Sequence, residues 1–353
     1  MNRTKVAAID RLDNSEYQIR QAADIIFRGG LVIIPTETVY GIAANMLHKK
    51  AVERLCQIKK RPKDKPFSLH IDSKERVEEF CRDIPIGAYK LIDKFWPGPL
   101  TLVLRSHEGG SIGVRMPDDE IALEVIRRAQ VPVVCPSANI SGNPAPVNFK
   151  EAIADLDGLV DYAIDAGNTK LGIESSVVSA LEEPVRILRE GAIKKEDVER
   201  AIKTKNVLFI CTGNSCRSVM AQALLEKRLK ELNRQDVEVS SAGIMMLSGL
   251  GATEATREVL RDEGIDVSAH RSHRVTGGLI KKSDIILVME RIHEEKILQM
   301  APEVKNRVFL LKEFAKISDN NLNIFDPVGQ PVEFYARTLG IIKDAIEHVA
   351  KVI

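Results

Sequence analysis

Val207-Leu208-Phe209-Ile210-Cys211-Thr212-Gly213-Asn214-Ser215-Cys216-Arg217-Ser218 decides how the second half of this chain folds. The first four residues form an apolar strand pattern, and a short polar turn follows. Met220, Ala221, Leu224, Leu225 and Leu229 then recur on one helical face. Gly213 and Asn214 tolerate backbone angles that most residues avoid. A turn of this kind points successive N–H groups inward as an anion nest, capped by the positive end of the helix. A cysteine at its mouth is expected as the thiolate, favoured by the helix start and a guanidinium. Arg217 offers a planar fork that matches two oxygens of a tetrahedral phosphate, and Ser218 can donate to the sulfur. The expected phosphate loop is therefore Thr212, Gly213, Asn214, Ser215, Cys216 and Ser218, with Cys211 and Arg217 as the reacting pair.

Outward from the loop, Val237–Val239, Ile285–Met289 and Val308–Leu311 read as further strands, each followed by a helical pattern. Alternating β and α units imply a parallel sheet covered on both faces, with ligands beyond the carboxyl ends of its strands. Attack of a thiolate on phosphorus needs an acid for the leaving group, and Asp326 in Asp326-Pro327 is the candidate. The same carboxylate could then activate water against the phosphocysteine. Cys211-x5-Arg217-Ser218, Ser240-Ser241-Ala242-Gly243, His270-Arg271-Ser272, Asp284–Met289 and Asp326-Pro327 resemble the low-molecular-weight phosphatase family over Asn206–Ile353. The resemblance implies hydrolysis of a phosphorylated protein with no cofactor. Phosphotyrosine-directed members usually carry isoleucine where Ser215 stands, and aromatic residues after Asp-Pro, where this chain has Val328-Gly329. Ser215 resembles the threonine of the protein-arginine phosphatase branch, so phosphoarginine is expected ahead of phosphotyrosine. Related arsenate reductases use resolving cysteines far downstream, and no cysteine follows Cys216. Cys216 could instead pair reversibly with Cys211.

The first half alternates strands (Leu31–Ile34, Leu100–Leu104, Val131–Cys135, Ser176–Val178) with helical stretches (Ala51–Ile58, Glu78–Phe95 interrupted at Pro85, Ile121–Ala129). Some strands lie too close in sequence for a helical crossover, so the sheet is expected to be mixed. Pro35–Gly41 follows a strand with two threonine hydroxyls and a glycine. Lys59–Lys65 is basic, and Pro62 and Pro66 argue for a fixed loop able to neutralise phosphates. Trp96–Thr101, Gly113–Pro117, Cys135–Gly142, Glu174–Val178 and Ile187–Gly191 add hydroxyls, an amide and arginines.

In that order these segments resemble the YrdC-like threonylcarbamoyl-AMP synthase family over Tyr17–Ile193. The resemblance implies that L-threonine, bicarbonate and ATP, the last with Mg²⁺, give threonylcarbamoyl-AMP and pyrophosphate for a tRNA modification. It places threonine on Thr36, His70, Arg115, Ser137 and Ser176, and ATP on Lys59, Arg61, Ser111, Asn139, Ser141 and Arg189. It leaves tRNA-modification proteins or tRNA as candidate partners. Glu190 stands where the family often has proline. Longer members carry another C-terminal domain, which the phosphatase half replaces here. The alternative is a non-catalytic RNA- or nucleotide-binding module attached to an active phosphatase. Interleaved aromatics would favour it, but the basic loop has none and aromatic content is 5%.

The fold expected is α/β throughout: an N-terminal YrdC-like domain with a mixed twisted sheet (1–195), a charged linker (196–205), and a C-terminal Rossmann-like domain with a four-stranded parallel sheet flanked by helices (206–353). A chain of 353 residues with 44% hydrophobic and 29% charged residues can bury two cores. A formal net charge of +1 gives no global pull toward nucleic acid or membrane. The N-terminus shows no signal-peptide pattern, and no apolar run is long enough for a membrane span. Five cysteines, an odd and sparse set, suit a reducing cytoplasmic setting. Seven scattered histidines lack zinc spacing with cysteine, so no protein-bound metal is expected.

Overall fold

In the computed structural model the described residues are 3–9, 15–61, 67–245 and 248–353. The basic-loop residues Pro62–Pro66 lie outside them. The chain forms two compact units, 1–201 and 202–353.

The strands of the first unit are β1 (Lys5–Ala8), β2 (Val32–Ile34), β3 (Gly41–Asn45), β4 (Leu69–His70), β5 (Cys81–Arg82), β6 (Leu100–Ser106), β7 (Ser111–Arg115), β8 (Val133–Val134), β9 (Tyr162–Asp165), β10 (Ser176–Ser179) and β11 (Arg186–Arg189). They form one mixed sheet in the order β1-β9-β2-β3-β8-β4-β7-β6-β10-β11, with β5 paired to β6. β2 and β3 pair antiparallel through the Pro35–Tyr40 turn, whereas β4 runs parallel to β7 and β6 parallel to β10. Side-chain alternation splits the Leu31–Ile34 run: Val32 and Ile34 join one core, Leu31 and Ile33 the other. The helix Glu16–Phe27 presents Ile19, Ala22, Ala23 and Ile26, and packs on Ala122, Val125, Ile126 and Ala129 of the helix Glu120–Ala129. Each fully buried valine, leucine or isoleucine in these layers is worth about 1.5–3 kcal/mol.

The expected helical stretch Glu78–Phe95 is two helices, Val77–Phe80 and Ile86–Phe95. The break comes before Pro85, because Cys81 and Arg82 extend to pair with β6 and Asp83 turns left-handed at φ 51°. The charged stretch is the helix Lys195–Lys203, with Val198 buried, and it runs across the division at 201/202.

The second unit contains β12 (Lys205–Cys211), β13 (Val237–Gly243), β14 (Ile285–Val288) and β15 (Val308–Leu310), all parallel, in the order β13-β12-β14-β15. Val207, Phe209 and Cys211 face one core; Leu208 and Ile210 face the other. The helices Arg217–Glu231 and Val332–Val352 pack together over the first face. β12 is central, so the turn after Ile210 emerges at the carboxyl edge of the sheet between two neighbours. Among the described residues, no helix is long and apolar enough to cross a membrane.

Candidate active sites

In the second unit, β12 delivers Cys211 to the start of the helix Arg217–Glu231. Asn214 supplies the left-handed step of the turn at φ 53°, and Gly213 stays outside that region. The tight fit of this turn depends instead on Gly243 at the end of β13. A Cβ there would lie 2.8 Å from Thr212 O and 3.0 Å from Asn214 N.

The Cys211 sulfur is 3.0 Å from Ser218 Oγ and accepts from Asn214 N–H at 3.3 Å. Asn214 Nδ2 donates to Ser218 Oγ (3.0 Å) and Ser241 Oγ (2.8 Å), while Asn214 Oδ1 accepts from His273 N–H (2.8 Å). Ser241 Oγ in turn donates to Gln222 Oε1 at 2.6 Å. Ser218 accepts from the amide and keeps its own proton available to a thiolate at Cys211.

Arg217 is fully buried. Its Nη1 donates to the Glu290 carboxylate and to Ile324 O (2.7 Å). Its Nη2 donates to Thr212 Oγ1 (3.1 Å) and Asp326 Oδ2 (2.5 Å). Its Nε is buried with no hydrogen-bond partner, so one donor of the fork is left for an oxyanion. Arg217 and Asp326 thus meet, although 109 positions separate them, and Thr212, the neighbour of Cys211, lies on the same guanidinium nitrogen. Ser215 is half-buried, with Oγ 3.7 Å from Cys216 Sγ; Cys216 also contacts Thr253 Oγ1 at 3.4 Å. Val328 and Phe325, flanking Asp326-Pro327, are exposed. All five cysteines are free and buried.

Sequence reasoning missed Glu290, His293 and Gln222. Ser241 and His270 were quoted only within motifs; His270 Nε2 lies 2.8 Å from Asn214 O. His293 is fully buried. Burial, then the Arg217 charge, pushes its pKa down to about 4, against a smaller opposing effect of Asp326.

The first unit holds a cleft of about 680 Å³, lined by every cleft residue named from sequence except Ser176. Ser175 and Val177 line it instead, because successive side chains of an extended chain point to opposite faces. The Ser176 hydroxyl donates to Ile193 O (2.7 Å) and accepts from Gly191 N and Ile193 N (both 2.9 Å). It shapes the turn before the helix Lys195–Lys203 rather than the cleft wall.

Lys59 is buried and its ammonium donates to Ser137 O (2.6 Å), Asn139 O and Asn139 Oδ1 (both 2.7 Å). All three donors are thereby used, stapling the Ser137–Asn139 turn against the helix Lys49–Ile58. Burial and then the Arg61 charge pull its pKa down to about 8. The Arg61 guanidinium sits over Phe67, 5.2 Å from the ring centroid. Arg189 holds Ser175 O (Nη2, 2.8 Å) and Glu174 Oε1 (Nη1, 2.6 Å). Arg115 donates to Thr38 Oγ1 (2.8 Å) and Gly98 O (3.2 Å). It also lies 2.7 Å from Glu37 Oε1, an ion pair whose angle makes no hydrogen bond, so both Glu37 carboxylate oxygens lack a donor. Thr36 Oγ1 donates to Val39 O at 2.6 Å. His70 is held neutral: burial first, then Arg115, takes its pKa to about 3. Gly41 allows β3 to begin against Cys135, whose sulfur would lie 2.3 Å from an added Cβ.

The geometry defines two classes of domain: a Cys-x5-Arg phosphate loop on a parallel α/β sheet, and a cation-lined cleft on a mixed one. Residues 24–191 match the family model described as telomere recombination, which groups Sua5, YciO and YrdC, and residues 206–353 match that described as low molecular weight phosphotyrosine protein phosphatase. The chain belongs to the threonylcarbamoyl-AMP synthase family through its first unit and to the low-molecular-weight phosphatase family through its second. It is 44% identical over 196 residues to the threonylcarbamoyl-AMP synthase of Pyrococcus abyssi, a match covering 53% of this chain and 58% of that protein. It spans a similar share, 60%, of the synthase of Bacillus subtilis. Against the protein-arginine-phosphatase of Geobacillus stearothermophilus it is 38% identical over 145 residues, 41% of this chain and 93% of the relative. A solved structure of Pyrococcus abyssi Sua5 complexed with L-threonine aligns over 87% of this chain and 99% of its own, with TM-score 0.54 and 29% identity.

Proposed function

We propose that the chain is a bifunctional enzyme whose second unit hydrolyses protein phosphoarginine through a phosphocysteine. The observation that carries this is one guanidinium, that of Arg217, joined to Asp326 and to Thr212 next to Cys211, with its buried Nε left without a protein partner. The Cys211 thiolate attacks phosphorus, forming an S–P bond as the P–N bond to the guanidino group breaks. Asp326 gives its proton to the leaving nitrogen. It then takes a proton from water, whose oxygen attacks phosphorus; the S–P bond breaks and inorganic phosphate leaves. Ser218 stabilises the departing thiolate, and the loop N–H groups with Arg217 stabilise the equatorial oxygens. The small polar Ser215 and the aliphatic Val328 support a guanidino substrate over a phenol ring. The identity to a relative named protein-arginine-phosphatase supports the same reading. Comparing kcat/KM on phosphoarginine and phosphotyrosine peptides tests it: phosphoarginine is expected to be faster, and a phosphotyrosine preference would replace the substrate.

For the first unit the proposal is threonylcarbamoyl-AMP synthesis. L-threonine's amine condenses with bicarbonate, losing water, to a carbamate. A carbamate oxygen attacks the α-phosphorus of ATP, and the bond to the bridging oxygen breaks as pyrophosphate leaves. Arg115 would take the threonine carboxylate, with Thr36, His70 and Ser137 around the side chain. Arg61, Ser111, Asn139, Ser141 and Arg189 would hold ATP, Lys59 would add its charge from behind the Ser137–Asn139 turn that uses its donors, and the Ser176 turn would support them. Among the described lining residues the carboxylate is Glu174, already held by Arg189 at 2.6 Å, so magnesium arriving with ATP is left to phosphate oxygens and water. The product would serve threonylcarbamoyladenosine formation in tRNA. Release of pyrophosphate that requires both threonine and bicarbonate tests this; nucleotide binding without release would favour a binding module.

A further inference from the structure

His293 is fully buried under the phosphate loop and lies 81 positions from Thr212. Its Nδ1 accepts the backbone N–H of Glu290 at 3.1 Å. A nitrogen that accepts carries no proton, so the ring is the tautomer with hydrogen on Nε2. Nε2 lies 3.0 Å from Thr212 Oγ1 and therefore donates to it. Arg217 Nη2 donates to the same oxygen at 3.1 Å. A hydroxyl has two lone pairs and one proton. Both lone pairs of Thr212 are occupied, so its proton has to leave on the remaining side.

From this we infer that His293 is a positioning residue for phosphoryl transfer. Its Nε2–H fixes the rotation of the Thr212 hydroxyl, which then must accept from Arg217 and must offer its own proton to the bound oxyanion. The arrangement does two things for the loop. It holds the roll of the Arg217 guanidinium at Nη2 while Glu290 and Ile324 O hold Nη1, so that Nε is kept without a protein partner. It also adds a neutral donor whose direction is set before substrate arrives, which is where preorganised donors gain their effect. An imidazolium could not replace it, because a proton on Nδ1 would face the Glu290 N–H. The groups around the ring are Arg217, Glu290 and Asp326.

The inference rests on the phosphatase reading of this loop, and it is tested by two readouts on the full chain. One is turnover of p-nitrophenyl phosphate; the other is inorganic phosphate binding by calorimetry. His293→Asn can keep the acceptor for Glu290 N–H and loses the reach to Thr212. Its kcat is expected to fall roughly tenfold with KM changed less than threefold, and its phosphate affinity to fall about three- to tenfold. His293→Gln, which can place an N–H near the lost Nε2, is expected to recover most of that loss. In a Thr212→Val background His293→Asn should add nothing, since both remove one interaction. Multiplicative losses in that cycle, or His293→Gln no better than His293→Asn at equal thermal stability, overturn the inference. If the wild-type chain binds phosphate without turnover, the phosphatase reading falls while the phosphate affinities still decide the role of His293. A wild-type chain that binds no phosphate overturns both.

Discussion

The phosphate loop and the synthase-like cleft are built on opposite plans. The loop draws most of its chemistry from one contiguous turn, Cys211–Ser218, and calls on distant residues mainly to orient it. The cleft takes its lining from strand ends and turns spread between Thr36 and Arg189. A contiguous turn at a helix start can carry charge on backbone N–H groups, which every residue supplies. A cleft gathered from many segments needs side chains for the same purpose, and they must be kept charged under burial. Arg115 and Lys59 show the cost: one is paired with the donor-starved carboxylate of Glu37, the other has its pKa pulled down to about 8.

This contrast can be broken in three places. The largest effect is expected at Arg115→Leu, which leaves Glu37 buried without its cation. Breaking one partner of such a pair costs about 3–5 kcal/mol, read as a loss in denaturant stability of the first unit. Glu37→Gln in the same chain should return most of it; equal stability of the single variant and wild type would show that the pair is not what holds this wall. Next is Gly243→Ala, whose Cβ must displace the loop at Thr212 O and Asn214 N. Roughly a ten- to hundredfold loss of phosphatase kcat is expected with circular dichroism unchanged, since small misplacements of reacting groups are costly. Unaltered kcat would mean that the loop tolerates the shift. The smallest effect is a pH dependence. Lys59 has a depressed pKa, so it holds its charge below about pH 8 and loses it as pH rises through that value. ATP affinity of the cleft should decline a few-fold between about pH 7 and 9.5, and Lys59→Arg should flatten the decline. A wild-type profile as flat as the variant's would leave Lys59 outside the charge balance.

The same contrast explains what could be read from the chain. Cys211, Arg217 and Ser218 share one turn, so spacing alone brings them to the same strand end and helix start. Asp326 was reachable because Asp-Pro follows the last strand pattern, although folding must carry it 109 positions back to Arg217. Glu290, His293 and Gln222 gave no signal: each acts through a single hydrogen bond or two across the sheet edge, and no local pattern encodes such a meeting. In the first unit, β5 is only two residues long and falls inside the stretch Glu78–Phe95 whose pattern reads as helical, so it carries no periodicity of its own to detect. At Ser175-Ser176 the sequence offers two identical side chains, and only the phase of β10 decides which one faces the cavity.

Everything proposed for the second unit depends on a covalent bond between phosphorus and the Cys211 sulfur. The direct check is rapid acid quench of the full chain with a phosphorylated substrate, using Asp326→Asn to slow hydrolysis, followed by peptide mass spectrometry. A phosphoryl increment on the Cys211 peptide, absent in Cys211→Ser, is the expected result. Turnover that persists in Cys211→Ser, or an increment on another residue, would contradict it.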